Sequence, residues 1–315
     1  MKNLPIGISD FREVRTENYY YVDKSLLIKE VIDDSKIILL TRPRRFGKSI
    51  NLSLLHYFFE KADQDTSYLF KDLKIWQAGE AYTSRQGQYP VISLTFKDIK
   101  KDNWEDTLAL LKNIISQEYQ RHSYLKDAGV LSPHELVRFN QIITGEASTV
   151  YFEISLRDLS EYLARYYKKR TVILIDEYDT PINAAYLHDF YQPTVQFIRG
   201  LLSGAYKDNS FLEQGVITGI FRVAKEGIFS GLNNLAEYSV LNQPFADKFG
   251  FTEAEVKQLL ADYHYPTNLK GCAPGTMVIT LVGGLLYIIP GRLIATFSTL
   301  RKASSFTGAT PVTTP

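Results

Sequence analysis

The chain has 315 residues, 45% hydrophobic and 23% charged, a composition that excludes wholesale disorder and suits one large or two smaller folded domains. Its 36 basic and 35 acidic residues leave a net charge of +1, so there is no bulk field for nucleic acid or a membrane surface, and any such contact must be local. A single cysteine, Cys272, excludes an internal disulfide and a multi-cysteine zinc site; with no signal-peptide pattern at the N-terminus, the expected location is the cytoplasm.

Residues 1–30 hold an aromatic cluster, Tyr19-Tyr20-Tyr21, followed by an apolar-periodic stretch that runs to Val31. Ile37-Ile38-Leu39-Leu40 is a short continuous apolar run, as a strand buried on both faces requires. It stops at Thr41-Arg42-Pro43, and beyond Lys48 the residues Leu52, Leu54, Leu55, Phe58 and Phe59 recur at helical spacing. The order is strand, loop, helix. Val91 to Phe96 predicts a second strand, and the apolar spacing over 104–122, 133–142 and 155–168 predicts helices. Thr171 to Ile175 is a third strand, 191–206 a helix and Gly215 to Gly219 a fourth strand. This alternation predicts an α/β fold, a mostly parallel sheet flanked by helices. Thr252 and Glu255 stand in capping-box spacing ahead of Val256, Leu259 and Leu260, which predicts a small helical appendage after the sheet.

Phe46-Gly47-Lys48-Ser49 lies between the first strand and its helix, the context of a phosphate-binding loop. Backbone amides from Arg44 to Ser49 would converge on a phosphate and Gly47 would let the backbone approach. Lys48 would reach the β and γ phosphates, and the Ser49 hydroxyl would ligate Mg²⁺. With the site empty, Lys48 is expected to face solvent. A full G-x-x-x-x-G-K-[ST] loop would have glycine where this chain has Arg42. Arg42, Arg44 and Arg45 would add positive field at a triphosphate, or form a basic turn that balances nearby carboxylates.

The third strand ends in Asp176-Glu177. At the carboxyl edge of a parallel sheet, Asp176 could hold the Mg²⁺ shell and Glu177 could polarise a water for in-line attack on the γ-phosphate. Thr218, at the end of the fourth strand, is either a γ-phosphate sensor or a turn residue beside Gly219. Arg222 is either a phosphate or neighbour contact or a surface arginine. No histidine has metal-ligand spacing, and no Ser-His-Asp or Cys-His arrangement is suggested.

Leu4 to Ile8, Asn18 to Lys24, Thr41 to Ser49, Ile175 to Pro181 and Thr218 to Arg222, taken together and in order, resemble the bacterial AAA-ATPase-like family. The resemblance covers residues 1 to about 270 and implies a P-loop NTPase in which Arg42-Pro43 is the family's own form of the loop. It implies an N-terminal strap over 1–30 with Tyr21, Asp23 and Lys24 near the nucleotide base, an ATPase core over 31–245, and the start of a helical lid over 246–270. By position it gives Lys48 and Glu177 to catalysis. Arg44, Arg45, Phe46, Gly47, Lys48, Ser49 and Thr218 fall to ATP, and Ser49 and Asp176 to Mg²⁺. Relatives usually continue into a nuclease-like domain of the PD-(D/E)XK type, which makes that domain the expected effector.

The tail departs from this pattern. Asp262 is the last acidic residue, so the final 53 positions hold none where the chain's own rate predicts about six. Regrouping the codons open to Pro274 through Val282 permits W-Y-N-G-Y-N-F-G. The same shift over Leu286 to Arg292 permits L-Y-N-P-W-S, and over Phe306 to Val312 it permits Y-W-S-N-T-S, all resembling family motifs in order. These strings predict a frameshift near residues 269–273, an aberrant tail over 271–315 and loss of the nuclease-like domain. The uncharged run Gly271 to Gly291 has an apolar core of only 13 residues, Met277 to Ile289, interrupted behind by Pro290-Gly291, so a membrane span is not expected. The leading expectation is Mg²⁺-dependent ATP hydrolysis. The alternatives are a low-turnover ATP-binding switch and a non-functional gene fragment. Nucleic acid remains an open partner.

Overall fold

Ile37–Thr41 (β1), Val91–Thr95 (β2), Thr171–Asp176 (β3), Leu212–Gly219 (β4) and Leu235–Tyr238 (β5) form one sheet in the computed structural model, ordered β2-β3-β4-β1-β5. Every neighbouring pair is parallel. The structure describes residues 1–222, 227–229, 232, 234–242 and 244–264, together with the backbone of 277–282, 285–290 and 294–295. The helices are Phe11–Thr16 (α1), Leu26–Asp33 (α2), Lys48–Phe59 (α3), Glu80–Thr83 (α4), Trp104–Arg121 (α5), Pro133–Thr144 (α6), Thr149–Tyr167 (α7), Thr180–Leu187 (α8), Tyr191–Tyr206 (α9) and Glu253–Asp262 (α10). This is the α/β, P-loop-like architecture that the strand and helix alternation predicts.

The strand residues divide between two cores with the period of two that a pleated strand imposes. Ile37, Leu39, Ile173 and Ile175 enter one core with α5, α6, α7 and α9. Ile38, Leu40, Val172 and Leu174 enter the other, with α2 and α3. Both faces of the sheet are therefore covered, which is why β1 and β3 are apolar along their whole length. The edge strand β2 is closed by side chains of α5: Glu118 accepts from the Ser93 amide at 2.9 Å and Arg121 donates to the Val91 carbonyl at 2.5 Å. Pairing groups that would otherwise invite another strand are thus occupied.

Register brings the strand ends together. Leu40 and Thr41 of β1 lie opposite Thr218 and Gly219 of β4, and Ile175 of β3 lies opposite Ile217. Asp176 is consequently level with Thr218, and the loop after β1 opens one strand away from the carboxylates.

Several bounds differ from the sequence reading. β4 begins at Leu212, three residues before the apolar run, because Glu213 and Gln214 continue the ladder without looking like core. α7 begins at Thr149, since Val150 and Tyr151 in its first turn are exposed and give no apolar stripe. α10 has the expected capping box between Thr252 and Glu255. In the tail, Met277–Val282 (β6) pairs antiparallel with Leu285–Pro290 (β7) and parallel with Ile294–Ala295 (β8). The expected reading-frame boundary near 269–273 and the rest of 271–315 lie outside the described residues. Among the described residues no helix is long and apolar enough to cross a membrane.

Candidate functional site

The loop between β1 and α3 is anchored from beneath. The Arg42 amide donates to the Gly219 carbonyl at 2.9 Å, and the Arg42 side chain is 1% exposed. Its guanidinium donates to the carbonyls of Thr41 at 2.8 Å, Tyr238 at 2.7 Å and Phe245 at 3.1 Å, and lies over the Phe249 ring. Arg42 therefore points into the protein and not toward the mouth of the loop, where a direct phosphate contact would lie. It fills the place of the missing glycine by turning inward and tying β5 and the segment around Phe245 to the loop. Arg44 and Arg45 are exposed.

Gly47 caps α3 with φ 80°, a left-handed conformation that glycine adopts without strain. Arg44 and Arg45 form a turn, and from Arg44 to Ser49 no backbone N–H makes a well-aligned hydrogen bond to an acceptor among the described residues. These amides belong to the loop and first turn of a 12-residue helix, where the helix dipole favours an anion.

Lys48 departs from expectation: it is 4% exposed rather than solvent-facing, and its Nζ donates to the carbonyls of Arg42 and Pro43, each at 3.1 Å. Burial pushes its ammonium below the usual lysine range, against the opposing pull of Glu177, Asp176 and Asp179. The Ser49 hydroxyl donates to Asp176 Oδ2 at 2.5 Å, and Thr218 donates to Asp176 Oδ1 in a short hydrogen bond. The same Thr218 oxygen accepts from the Glu177 amide at 3.3 Å. Thr218 is fully buried, so it sits behind the two carboxylates and braces them, not at the mouth of the loop.

Glu177 is half-buried with φ 52°, a conformation uncommon outside glycine, and its Oε2 accepts from the Thr180 hydroxyl at 3.1 Å. The turn is locked by Asp179, whose Oδ2 accepts from the amides of Ile220 at 2.9 Å and Phe221 at 3.4 Å. Asp179 Oδ1 is buried without a hydrogen-bond partner among the described residues, and burial raises its carboxyl above the usual range. Gly219 is required beside it, because a Cβ there would stand 2.7 Å from the Tyr178 ring. Asp179 and Thr180 lie just beyond the carboxylate pair, yet nothing in the local sequence pattern marks them for these contacts. Arg222 pairs with Glu237 at 2.8 Å, which makes it a surface ion pair in this structure.

A cavity of about 440 Å³ adjoins the loop. Ile6, Tyr21, Val22, Phe46, Ile50 and Phe251 give it apolar walls, and Gly47 and Arg45 form its border with the loop. Its walls come from the N-terminal segment, the loop with α3, and the segment ahead of α10. Lys24 lines it too, but its Nζ is turned to Glu255 at 2.6 Å and the Asp247 carbonyl at 2.7 Å. Asp23 does not belong to this cavity; its carboxylate accepts from the Ser25 and Lys74 amides, both at 2.8 Å. On the other side of Ser49 and Asp176 is a polar crevice of about 280 Å³ that includes Ser53, His56, Thr95 and Lys97.

The Ser49 hydroxyl and the Asp176 carboxylate are hard oxygen donors, the set a hydrated Mg²⁺ prefers when phosphates complete its shell. No cluster of three or more His, Cys, Asp or Glu exists among the described residues, so an all-protein metal cage is not what this site offers.

An all-parallel sheet with an anion-ready loop after one strand and paired carboxylates one strand away defines a P-loop NTPase-like protein. A family model described as "Predicted AAA-ATPase" matches residues 5–229, and the chain belongs to that family. It is also 28% identical over 266 residues to an "Uncharacterized protein in vnfD 5'region" of Azotobacter chroococcum mcd 1, covering 82% of this chain and 45% of that protein. The chain thus spans less than half the length of this relative.

Proposed function

We propose that the chain binds ATP and hydrolyses it with Mg²⁺, and that this turnover controls an effector. The carrying observation is the loop Arg44 to Ser49, whose amides make no well-aligned hydrogen bond among the described residues and which ends at a serine in contact with Asp176. The amides and the α3 N-terminus would hold the β-phosphate, and Lys48 would exchange its two carbonyl partners for phosphate oxygens. The apolar cavity beside Phe46 suits the adenine ring. Ser49 and Asp176 would hold Mg²⁺, which supplies charge neutralisation on the transferring phosphoryl group. Glu177 orients and polarises the attacking water, with Thr180 and Thr218 fixing its carboxylate and its backbone. Its presence beside Asp176 favours turnover over a passive ATP-holding switch.

The effector we infer is nuclease-like, as in the family's usual architecture, and the shift of reading frame near residue 270 is the companion proposal for the tail. Calorimetry tests the binding step: ATP with Mg²⁺ should bind to the wild-type chain, and chelation should weaken that binding. Absence of heat with ATP, and no rise in melting temperature, would refute it. Sequencing the DNA past codon 270 in three frames tests the tail separately.

A further inference from the structure

Because every strand of the five-stranded sheet is parallel, the N-terminal strand ends share one edge, opposite the phosphate loop. That edge carries a cluster of cations which the net charge of +1 conceals, beside Asp34 ahead of β1 and Glu213 at the start of β4. Lys36 precedes β1, Lys61 follows α3, and Lys168, Lys169 and Arg170 join α7 to β3. All five are exposed, and none makes an ion pair with a carboxylate among the described residues. Burial, and less so the neighbouring Arg170, push the Lys36 ammonium below its usual range against the pull of Glu213.

Tyrosines interleave with these charges. Tyr166 and Tyr167 run directly into Lys168-Lys169-Arg170, and Tyr124 packs on Tyr166 with ring centroids 5.3 Å apart. Lys61 Nζ lies 5.8 Å from the Tyr167 ring centroid and Lys169 Nζ 6.0 Å from that of Tyr89. Tyr124 and Tyr166 are 37% and 43% exposed, a large share for rings that already have partners. They line a recess of about 430 Å³ together with Lys61, Pro90 and Arg121. The recess also contains Glu60, which is held by Arg121 at 2.5 Å and His56 at 3.0 Å. Asp63 is left as the open carboxylate of the recess.

We propose that this edge is a binding surface for single-stranded nucleic acid, with the cations tracking phosphates and Tyr124 and Tyr166 stacking bases. Exposed aromatic faces among unpaired cations suit unstacked bases, whereas a duplex would leave the rings unused. A lipid surface is the poorer fit. The rings are packed on one another, with the Tyr124 hydroxyl held by Tyr167 at 3.0 Å and His122 at 2.9 Å, so they are not an insertable wedge. The site is separate from the ATP crevice, so both ligands can be present together and each proposal can fail alone.

The test is fluorescence anisotropy of a labelled oligothymidylate of about twenty nucleotides with the full chain, beside a duplex of equal length and phosphatidylserine vesicles. Wild type should bind the single strand most tightly, with affinity falling as salt rises. The double substitution Lys61→Glu with Lys169→Glu should weaken binding at least about tenfold and flatten the salt dependence by roughly one to two in slope. Tyr166→Ala should weaken it about fivefold or more without changing the slope. Melting temperature should stay as in wild type for the charge variants, and ATP affinity for all of them. Lys168→Glu, at another exposed position, repeats the charge test if the double variant is misfolded. No wild-type binding, equal binding by all variants, or tighter binding to duplex or vesicles would overturn the proposal.

Discussion

Ser49 donates its hydroxyl to Asp176 Oδ2 over 2.5 Å, although 127 positions separate the two residues in the chain. The contact exists because β4 lies between β1 and β3, with Thr218 donating to the other oxygen of the same carboxylate. The loop after β1 and the carboxylate end of β3 are thereby fastened to each other. A carboxylate that already accepts two hydroxyl bonds is oriented in advance, which lowers the cost of ordering it around a cation.

Lys48→Ala is expected to abolish ATP binding and also to destabilise the empty protein. Removal of the ammonium leaves the carbonyls of Arg42 and Pro43 without their donor, a loss of about 1 to 3 kcal/mol. Calorimetry with ATP and a thermal melt without it measure the two effects. A melt identical to wild type would show that the buried lysine has no structural role.

Arg42→Gly restores the glycine of the full loop motif and is expected to do harm. The substitution removes donors from the Tyr238 and Phe245 carbonyls and leaves a cavity against Phe249, which together should cost about 3 kcal/mol or more. Denaturant unfolding checks it; an unchanged or higher midpoint would mean that Arg42 merely tolerates the position of a glycine.

Much of this architecture is legible in the chain itself. Ile37 to Leu40 and Thr171 to Ile175 announce strands covered on both faces because nothing else calls for unbroken apolar runs. The turn Phe46 to Ser49 and the pair Asp176-Glu177 stand at strand ends, where ligands of a parallel sheet gather. Other features are invisible for physical reasons. β5, with the sequence Leu-Ala-Glu-Tyr, is half-buried along its length and has no alternation. The inward turn of Arg42 depends on carbonyls contributed 196 and 203 residues away, which no local pattern reports. Lys48 looks like a residue for solvent until the loop's own carbonyls are seen to enclose it. The bracing role of Thr218 follows from strand register, not from its neighbours in sequence.

Thr218→Val keeps the shape of the side chain and removes its hydroxyl. Asp176 Oδ1 then loses a donor and the Glu177 amide an acceptor, so stability should fall by about 1 to 3 kcal/mol. Turnover is expected to fall more than ATP affinity, while Thr218→Ser should recover most of both. Steady-state kinetics beside calorimetry separates these effects, and a variant with wild-type kcat would remove Thr218 from the site.

Glu118 gives a pH signature of the fold. Burial alone would raise its carboxyl, but Arg121 and His122 outweigh it and hold the pKa at about 2, below the ordinary value of 4.5. A depressed carboxylate contributes stability above its unfolded pKa and loses it as pH falls through the folded value. The gap in stability between wild type and Glu118→Gln should therefore be about 2 to 3 kcal/mol at neutral pH and shrink between pH 4.5 and 2. Urea unfolding across that window measures it. A gap independent of pH would mean that packing, not charge, makes Glu118 valuable.

The most direct measurement is phosphate release from ATP by wild type and Glu177→Gln, with ATP binding followed in parallel. Glu177 is the one carboxylate of the pair not engaged by Ser49 or Thr218 through its side chain, so its loss should spare nucleotide binding. Magnesium-dependent release by wild type is expected, with the variant reduced at least about a hundredfold in kcat and its ATP affinity within about threefold. Equal release by the two proteins, or ATP binding without any release from wild type, would contradict hydrolysis at Asp176-Glu177.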